Sequence, residues 1–165
     1  MKTEILFPEV ANLCGDLMNV TYLRQCCPEM EVVETGLKGR PAFLDGGVDL
    51  VYVGSATERG LQLMVQALTP YKAELERYVD GGGLMLATGN ALDALGEYVV
   101  IDGKRAFDGL GILKTHAEYH MMKRHNSFLL GSFQDMEIVG FKSLFGHTYP
   151  DDELANPLFL SLIHI

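Results

Sequence analysis

Three short, mainly apolar runs constrain the fold of this 165-residue chain more than any other feature. They cover residues 3–7, 50–53 and 84–87. Apolar runs of this length, bounded by turn residues, are typical of strands that are buried on both faces of a parallel sheet. The sequence therefore predicts a mostly parallel sheet at the centre of the fold.

Stretches with helical spacing lie between these runs. In and directly after residues 19–26, Val20, Leu23 and Cys27 lie at i, i+3 and i+7, and residues 60–78 carry a longer apolar stripe. Pro70 interrupts that stripe, so we expect two helices or one kinked helix. Alternating strands and helices predict an α/β fold of three layers, in which helices flank the sheet and the crossovers are right-handed.

The second half of the chain has a different character. After residue 99 the segments are short, β-like and separated by turn residues, and "IDGK" at 101–104 predicts a hairpin. We expect this β-rich half to pack at the edge of the sheet. With no linker in view, residues 1–157 are predicted to be one domain, truncated at its C-terminus. The apolar ending "LSLIHI" predicts that residues 158–165 are a foreign tail.

Charge and composition exclude several classes of protein. The formal net charge of −9 argues against nucleic-acid binding, which needs a basic surface. No apolar run approaches the roughly 18 residues of a membrane span, and the N-terminus does not resemble a secretory signal. The chain has three cysteines, two of them adjacent, which favours a reducing cytoplasm over a disulfide-bonded fold.

The stretch "GGGLMLATGNALDALG" at 81–96 predicts a strand, a sharp turn and a helix. Backbone N–H groups at such a helix start stabilise negative charge, and in acyl-transfer enzymes the residue at the bend is the nucleophile. Gly89 suits the backbone of the bend but has no reactive atom. Thr88 has a hydroxyl but comes one residue early. From these residues alone, an ordinary turn between strand and helix is the favoured interpretation.

A second turn, in "YVGSATERG" at 52–60, follows the middle strand. Ligands of open α/β sheets bind beyond the carboxyl ends of the strands, so backbone N–H groups of Gly54 and Ser55 would face Gly89 there. An alternative interpretation is therefore that the chain is a binding module for a small anionic ligand at these turns. Asp16 is predicted to cap the first helix instead of binding a ligand.

The histidines do not predict a metal site. His116 and His120 have the i, i+4 spacing of metal ligands on a helix, but with His125 they fall in a region of predicted strand and turn. We expect no metal and no cofactor. Arg124 belongs to a basic pair that is either surface or a site for a carboxylate.

Three stretches together resemble one protein family. "FPEVANLCGDLMNVTYLRQ" is similar to the motif aromatic-Pro-acid-x-x-Asn-x-x-Gly-Asp-x-x-Asn that opens cobyric-acid-synthase-type class I glutamine amidotransferases. "DLVYVGSATERG" resembles their strand with a glycine-rich turn, and "LATGNALDALG" lies where they have Gly-Ile-Cys-Gly-Gly-Tyr-Gln-x-Leu-Gly. "IDGKRAFDGLGIL" and "EIVGFKSLFGHTY" follow in the same order, so the resemblance covers residues 3–157. Within the family it points to the glutaminase subunits of lipid II isoglutaminyl synthases.

This resemblance implies a flavodoxin-like fold and a known chemistry. In the family, the cysteine at the bend attacks the side-chain amide of glutamine, and a histidine near the C-terminus acts as the base. The ammonia passes to a synthetase partner, here expected to be Mur-ligase-like or of the cobyrinate type.

Residue by residue, the resemblance implies a site without its nucleophile. When Leu95 and Gly96 are aligned with the end of the motif, Gly89 takes the position of the cysteine and Asp93 that of the glutamine. Asn90 replaces a glycine of the motif.

Three further positions follow from the resemblance. The backbone N–H groups of Gly54 and Asn90 lie where the oxyanion hole would form, with Ser55 next in the turn, and Arg124 lies where the glutamine carboxylate would be held. We therefore expect an inactive domain with a role in binding or scaffolding. The alternatives are displaced chemistry at Thr88 and a non-catalytic flavodoxin-like binding module.

Overall fold

The first half of the chain forms the predicted parallel sheet. The computed structural model describes residues 1–151 and the backbone of residues 160–164. Four strands pair in the order β2-β1-β3-β4, and every pair is parallel. They are β1 (Lys2–Leu6), β2 (Glu31–Thr35), β3 (Leu50–Val53) and β4 (Leu84–Ala87).

Helices cover both faces of this sheet, which confirms the α/β prediction. They are α1 (Met18–Cys26), α2 (Glu58–Leu68), α3 (Lys72–Asp80) and α4 (Ala91–Leu95). Ile5 and Tyr52 pack with Val20 of α1 on one face, whereas Leu6 and Val51 join the larger core of α2 on the other. Of the helices in the described residues, none is long and apolar enough to cross a membrane.

Pro70 divides the long helical stretch in two, as the sequence predicts. α2 ends at Leu68, a 3-10 turn spans Thr69–Tyr71, and α3 begins at Lys72. Proline lacks the N–H that a continuing helix needs but is tolerated in the first turn of a new one.

The buried carboxylate of Glu4 ties the sheet to a neighbouring turn. Its oxygens accept hydrogen bonds from the Thr35 hydroxyl at 2.5 Å and from the backbone N–H groups of Ala42 and Phe43 at 2.6 and 2.8 Å. Glu4 is fully buried. A buried carboxylate needs such donors, so the side chain fixes the position of the 3-10 turn Ala42–Asp45.

The second half is β-rich, as predicted, and builds two further sheets. The first has the order β10-β7-β5-β6 and shares the main core through Val99, Ala117 and Tyr119. Asp102 and Gly103, with φ of 48° and 78°, form the predicted tight turn between β5 and β6. The strands are β5 (Tyr98–Ile101), β6 (Lys104–Asp108), β7 (Thr115–Tyr119) and β10 (Gly146–Pro150).

The other sheet has the order β11-β8-β9. It contains β8 (His125–Phe133), β9 (Met136–Leu144) and β11 (Leu160–His164), all antiparallel. Of the predicted tail, residues 158, 159 and 165 lie outside the described residues, and the strand β11 pairs with β8. The domain boundary at 157 and the foreign origin of the tail stay predictions.

Candidate functional site

The bend after β4 has the backbone of a strand-to-helix elbow. Gly89 lies between β4 and α4 with φ of 55°, a conformation that glycine adopts at little cost. A Cβ at this position would lie 2.8 Å from the Cβ of Ser55, closer than carbon atoms normally approach. Two features therefore favour glycine at position 89: the positive backbone angle and the close approach of the neighbouring turn.

The loop after β1 presses against the turn after β3. Phe7 has a φ of 57°, which is rare for a bulky residue, and its carbonyl accepts from the N–H groups of Val10 and Ala11 at 3.0 and 2.8 Å. This tight turn brings the carbonyl of Ala11 against Gly54, where any Cβ would collide with it. Gly54 is therefore needed for close approach of the backbone.

The next residues of this loop pair with Ser55. The N–H of Leu13 donates to the carbonyl of Ser55 at 2.9 Å, and the Ser55 hydroxyl donates to the carbonyl of Leu13 at 3.3 Å. The exposed residue Cys14 follows directly. The loop of residues 11–16 therefore covers the carboxyl ends of β3 and β4, although it is distant from them in the chain.

Asp16 ties this loop to both turns. Its Oδ2 accepts from the backbone N–H of Ser55 and from the Thr88 hydroxyl, each at 2.6 Å, and its Oδ1 accepts from the Asn19 amide at 2.9 Å. The predicted capping role is wrong, because the cap position of α1 is Leu17, which makes no side-chain cap hydrogen bond, and the Leu17 N–H donates to the side chain of Asn12 at 2.9 Å. The Asp16 carboxylate instead accepts from donors on the turns after β3 and β4.

The pKa of Asp16 reflects these donors. Burial raises it, but the hydrogen bonds from the Ser55 backbone and the Thr88 hydroxyl, with smaller ones from the side chains of Ser55 and Asn19, lower it by more. The net pKa lies below the ordinary value, so the carboxylate is ionised at neutral pH. The negative charge of the Asp16 carboxylate therefore lies at the Ser55 turn, within hydrogen-bond distance of its backbone N–H.

Tyr52 supports this cluster from within the sheet. Its hydroxyl donates to the carbonyl of Asp16 at 2.8 Å and lies 3.1 Å from the Thr88 hydroxyl oxygen. The Asn19 amide donates to the Tyr52 oxygen at 3.2 Å. Thr88 is therefore held in a network in which its hydroxyl proton goes to Asp16.

Asn90 joins the two turns directly. Its side-chain oxygen accepts from the N–H of Ala56 at 3.0 Å, and its amide donates to the carbonyl of the same residue at 2.8 Å. The structure thus brings together four of the predicted site residues at the ends of β3 and β4: Gly54, Ser55, Gly89 and Asn90.

Comparison with known proteins finds similarity in sequence and in structure. The chain is 28% identical over 145 residues to the subunit GatD of the glutamine-hydrolysing lipid II isoglutaminyl synthase of Staphylococcus aureus (strain N315), covering 85% of this chain and 58% of that protein. A solved glutamine amidotransferase matches with a TM-score of 0.52 at 12% identity, covering 86% of this chain and 70% of the other. No protein-family model matches the chain.

The chain is therefore similar to glutamine amidotransferases. The sequence similarity is to GatD, and the match to the solved structure shows a shared fold alone. Because the chain spans 58% of the length of the S. aureus relative, the relative's activity is not transferred to it by the match alone.

Asp93 has a structural role beside the elbow. It lies on α4 and is 5% exposed, and its two oxygens accept from the hydroxyls of Tyr119 and Thr148, each at 2.5 Å. Burial raises the pKa of Asp93 above its ordinary value, although both hydrogen bonds lower it. The side chain thereby anchors the helix after the elbow to β7 and β10.

Arg124 lies elsewhere, on the segment between β7 and β8. Its guanidinium stacks over the ring of Phe145 at 4.6 Å from the centroid. The role of Arg124 in holding a glutamine carboxylate stays a prediction.

Three of the histidines, His116, His125 and His147, make contacts with other rings. His116 stacks on Tyr98 with centroids 5.0 Å apart, and its Nδ1 lies 2.7 Å from a carboxylate oxygen of Asp151. His125 and His147 meet edge to face at 5.0 Å. Among the described residues, no group of three or more metal-binding side chains comes together.

Sequence reasoning missed the tie between Asp16, Tyr52 and Thr88. These residues are up to 72 positions apart in the chain, and their contacts depend on the sheet order. The available signal was the position of Tyr52 and Thr88 on or directly after neighbouring parallel strands.

Proposed function

We propose that this chain is a glutaminase-type domain that no longer hydrolyses glutamine and that serves as a binding or scaffold subunit beside a synthetase. The observation that carries the proposal is Gly89 at the bend. Acyl transfer from glutamine needs a nucleophile at that position, and loss of a catalytic nucleophile costs many orders of magnitude in rate.

Thr88 is a poor replacement for the absent thiol. Its hydroxyl donates to Asp16 at 2.6 Å, which superficially resembles a nucleophile with its base. The lowered pKa of Asp16 makes that carboxylate a weak base, and a general base works best when its pKa is near the operating pH. The pair is better suited to holding the turns together.

Asp16 also argues against an anionic ligand at the Ser55 turn. The Ser55 N–H, which would have bound such a ligand, already donates to the Asp16 carboxylate at 2.6 Å. A second anion would meet both an occupied donor and a like charge. This favours the scaffold role over the alternative of a small-anion binding module.

The partner that we propose is a synthetase of the Mur-ligase-like kind. The S. aureus relative is named as a subunit of lipid II isoglutaminyl synthase, so that protein works in an assembly. We propose that the present chain keeps a comparable place in the cytoplasm, with glutamine or a similar small molecule as a possible ligand and no nucleic acid.

The test is an ammonia-release assay with glutamine. We expect no ammonia above the buffer rate from the purified chain, alone or with its co-purified synthetase. Thr88→Val and Cys14→Ser serve as matched variants, because these residues carry the hydroxyl at the bend and the thiol on the covering loop. Ammonia release that either substitution abolishes would show displaced chemistry and would overturn the proposal.

A further inference from the structure

The outer edge of β9 is unpaired in the part of the chain that the structure describes. β8 pairs with β11 on one side and with β9 on the other, whereas β9 pairs with β8 alone. The strand is long, running from Met136 to Leu144. An edge of this length presents a row of backbone N–H and C=O groups that another strand can bind.

Apolar side chains stand on the exposed face beside this edge. Phe128 lies opposite Phe141 in the strand pair, with ring centroids 5.5 Å apart. Phe128 and Phe141 are 60% and 61% exposed, and Val139, which shares their face, is 74% exposed. A contiguous exposed apolar surface of this kind is typical of a site where another molecule binds.

The charge of β9 is balanced, unlike that of the whole chain. The chain has a formal net charge of −9 and would repel a second copy at long range. β9 itself carries one acidic and one basic residue, Glu137 and Lys142. The local charge of β9 is therefore close to zero, so a second copy of the strand is not repelled there. A strongly basic partner would find no excess of negative charge on β9 to bind.

We propose that two copies of the chain associate through their β9 edges, as an antiparallel pair with its two-fold axis at Gly140. Directly opposed residues of an antiparallel pair point to the same face, so a symmetric pair has its axis at a residue and not between two residues. Gly140 is the middle residue of Met136–Leu144, so this axis lets the whole strand pair in both copies.

This register also places compatible side chains opposite each other. Val139 lies opposite Phe141 of the second copy, and Glu137 lies opposite Ser143, so no like charges face each other. Aromatic residues pair favourably with β-branched residues across strands. The two three-stranded sheets become one continuous sheet, with the exposed apolar faces side by side.

The test is the mass of the full chain in solution. Variants at positions that face each other across the two-fold axis test the proposed register. By light scattering after size exclusion, we expect the chain to show about twice its 18.2 kDa mass at micromolar concentration. Val139→Lys and Phe141→Glu should each raise the dissociation constant about tenfold or more. An equimolar mixture of the two variants should restore the dimer, because Lys at 139 then faces Glu at 141 of the other copy.

The controls separate this edge from other surfaces. Leu84→Lys changes a residue that is 63% exposed on β4, an edge strand of the first sheet, and should leave the dimer intact. Circular dichroism confirms that the variants fold. A monomer at all concentrations, loss of the dimer in Leu84→Lys but not in Val139→Lys, or failure of the mixture to recover would overturn the proposal.

Discussion

A side chain at position 89 should destabilise the protein through the backbone angle and through its contact with Ser55. In Gly89→Ala, the φ of 55° costs about 1–2 kcal/mol for a residue with a Cβ. The approach of 2.8 Å to the Ser55 Cβ adds an overpacking cost of about 1–3 kcal/mol. We therefore expect the free energy of unfolding to fall by about 2–5 kcal/mol.

A double-mutant cycle isolates the contact. Ser55→Gly removes the opposing Cβ, so Gly89→Ala should cost about 1–3 kcal/mol less in the Ser55→Gly background than in the wild type. Urea unfolding followed by circular dichroism measures each of the four free energies. The loss of the hydrogen bond from Ser55 to Leu13 affects both backgrounds equally and cancels in the cycle.

Gly103→Ala is the matched control. Gly103 has a φ of 78°, but a Cβ there meets no atom within 4 Å, so the substitution should carry the backbone cost alone. It should also show no coupling to Ser55→Gly. If Gly89→Ala costs no more than Gly103→Ala, or if Ser55→Gly does not reduce its cost, then the Ser55 side chain does not fill the space beside the bend.

The two aspartates of the site should give opposite pH dependences. The pKa of Asp93 is raised in the folded state, so its contribution to stability is full below about pH 4 and is lost as the pH rises through the folded pKa. The stability of the wild type relative to Asp93→Asn should therefore fall with rising pH in urea titrations, and a flat difference would contradict this. The pKa of Asp16 is lowered, so stability relative to Asp16→Asn should fall as the pH drops below about 4, and an unchanged difference would exclude that linkage. Asn90→Ala removes both bonds to Ala56 and should lower the free energy of unfolding by about 1–3 kcal/mol, with faster amide exchange at Ala56; unchanged exchange would show that another group holds the turn.

The sequence predicts the sheet well because its signals are local. The apolar runs at 50–53 and 84–87 coincide with β3 and β4, since buried parallel strands need continuous apolar residues. Pro70 and the "IDGK" turn are likewise set by the backbone preferences of single residues. Features of this kind need no knowledge of which strands are neighbours.

The hydrogen bonds of the site are not local and could not be predicted in the same way. Asp16 follows the pattern of a helix cap, but the N–H of Ser55 and the hydroxyl of Thr88 reach its carboxylate only after β3 and β4 have paired. Asp93 likewise finds Tyr119 and Thr148 on strands of a different sheet. The sequence identifies the turns, and tertiary structure decides which polar groups bind there.

The hydrogen bonds that join Asp16, Ser55, Thr88 and Asn90 do not involve a side chain at residue 89. The hydrogen bonds that hold the elbow therefore need no side chain at its apex, and a glycine there also avoids the close approach to Ser55. A lineage in which the apex side chain is replaced by glycine loses no stabilising contact there and gains relief from the strain of a positive φ. Folding alone can then preserve the shape of the elbow, so an elbow of this shape does not by itself show that a chain turns over glutamine.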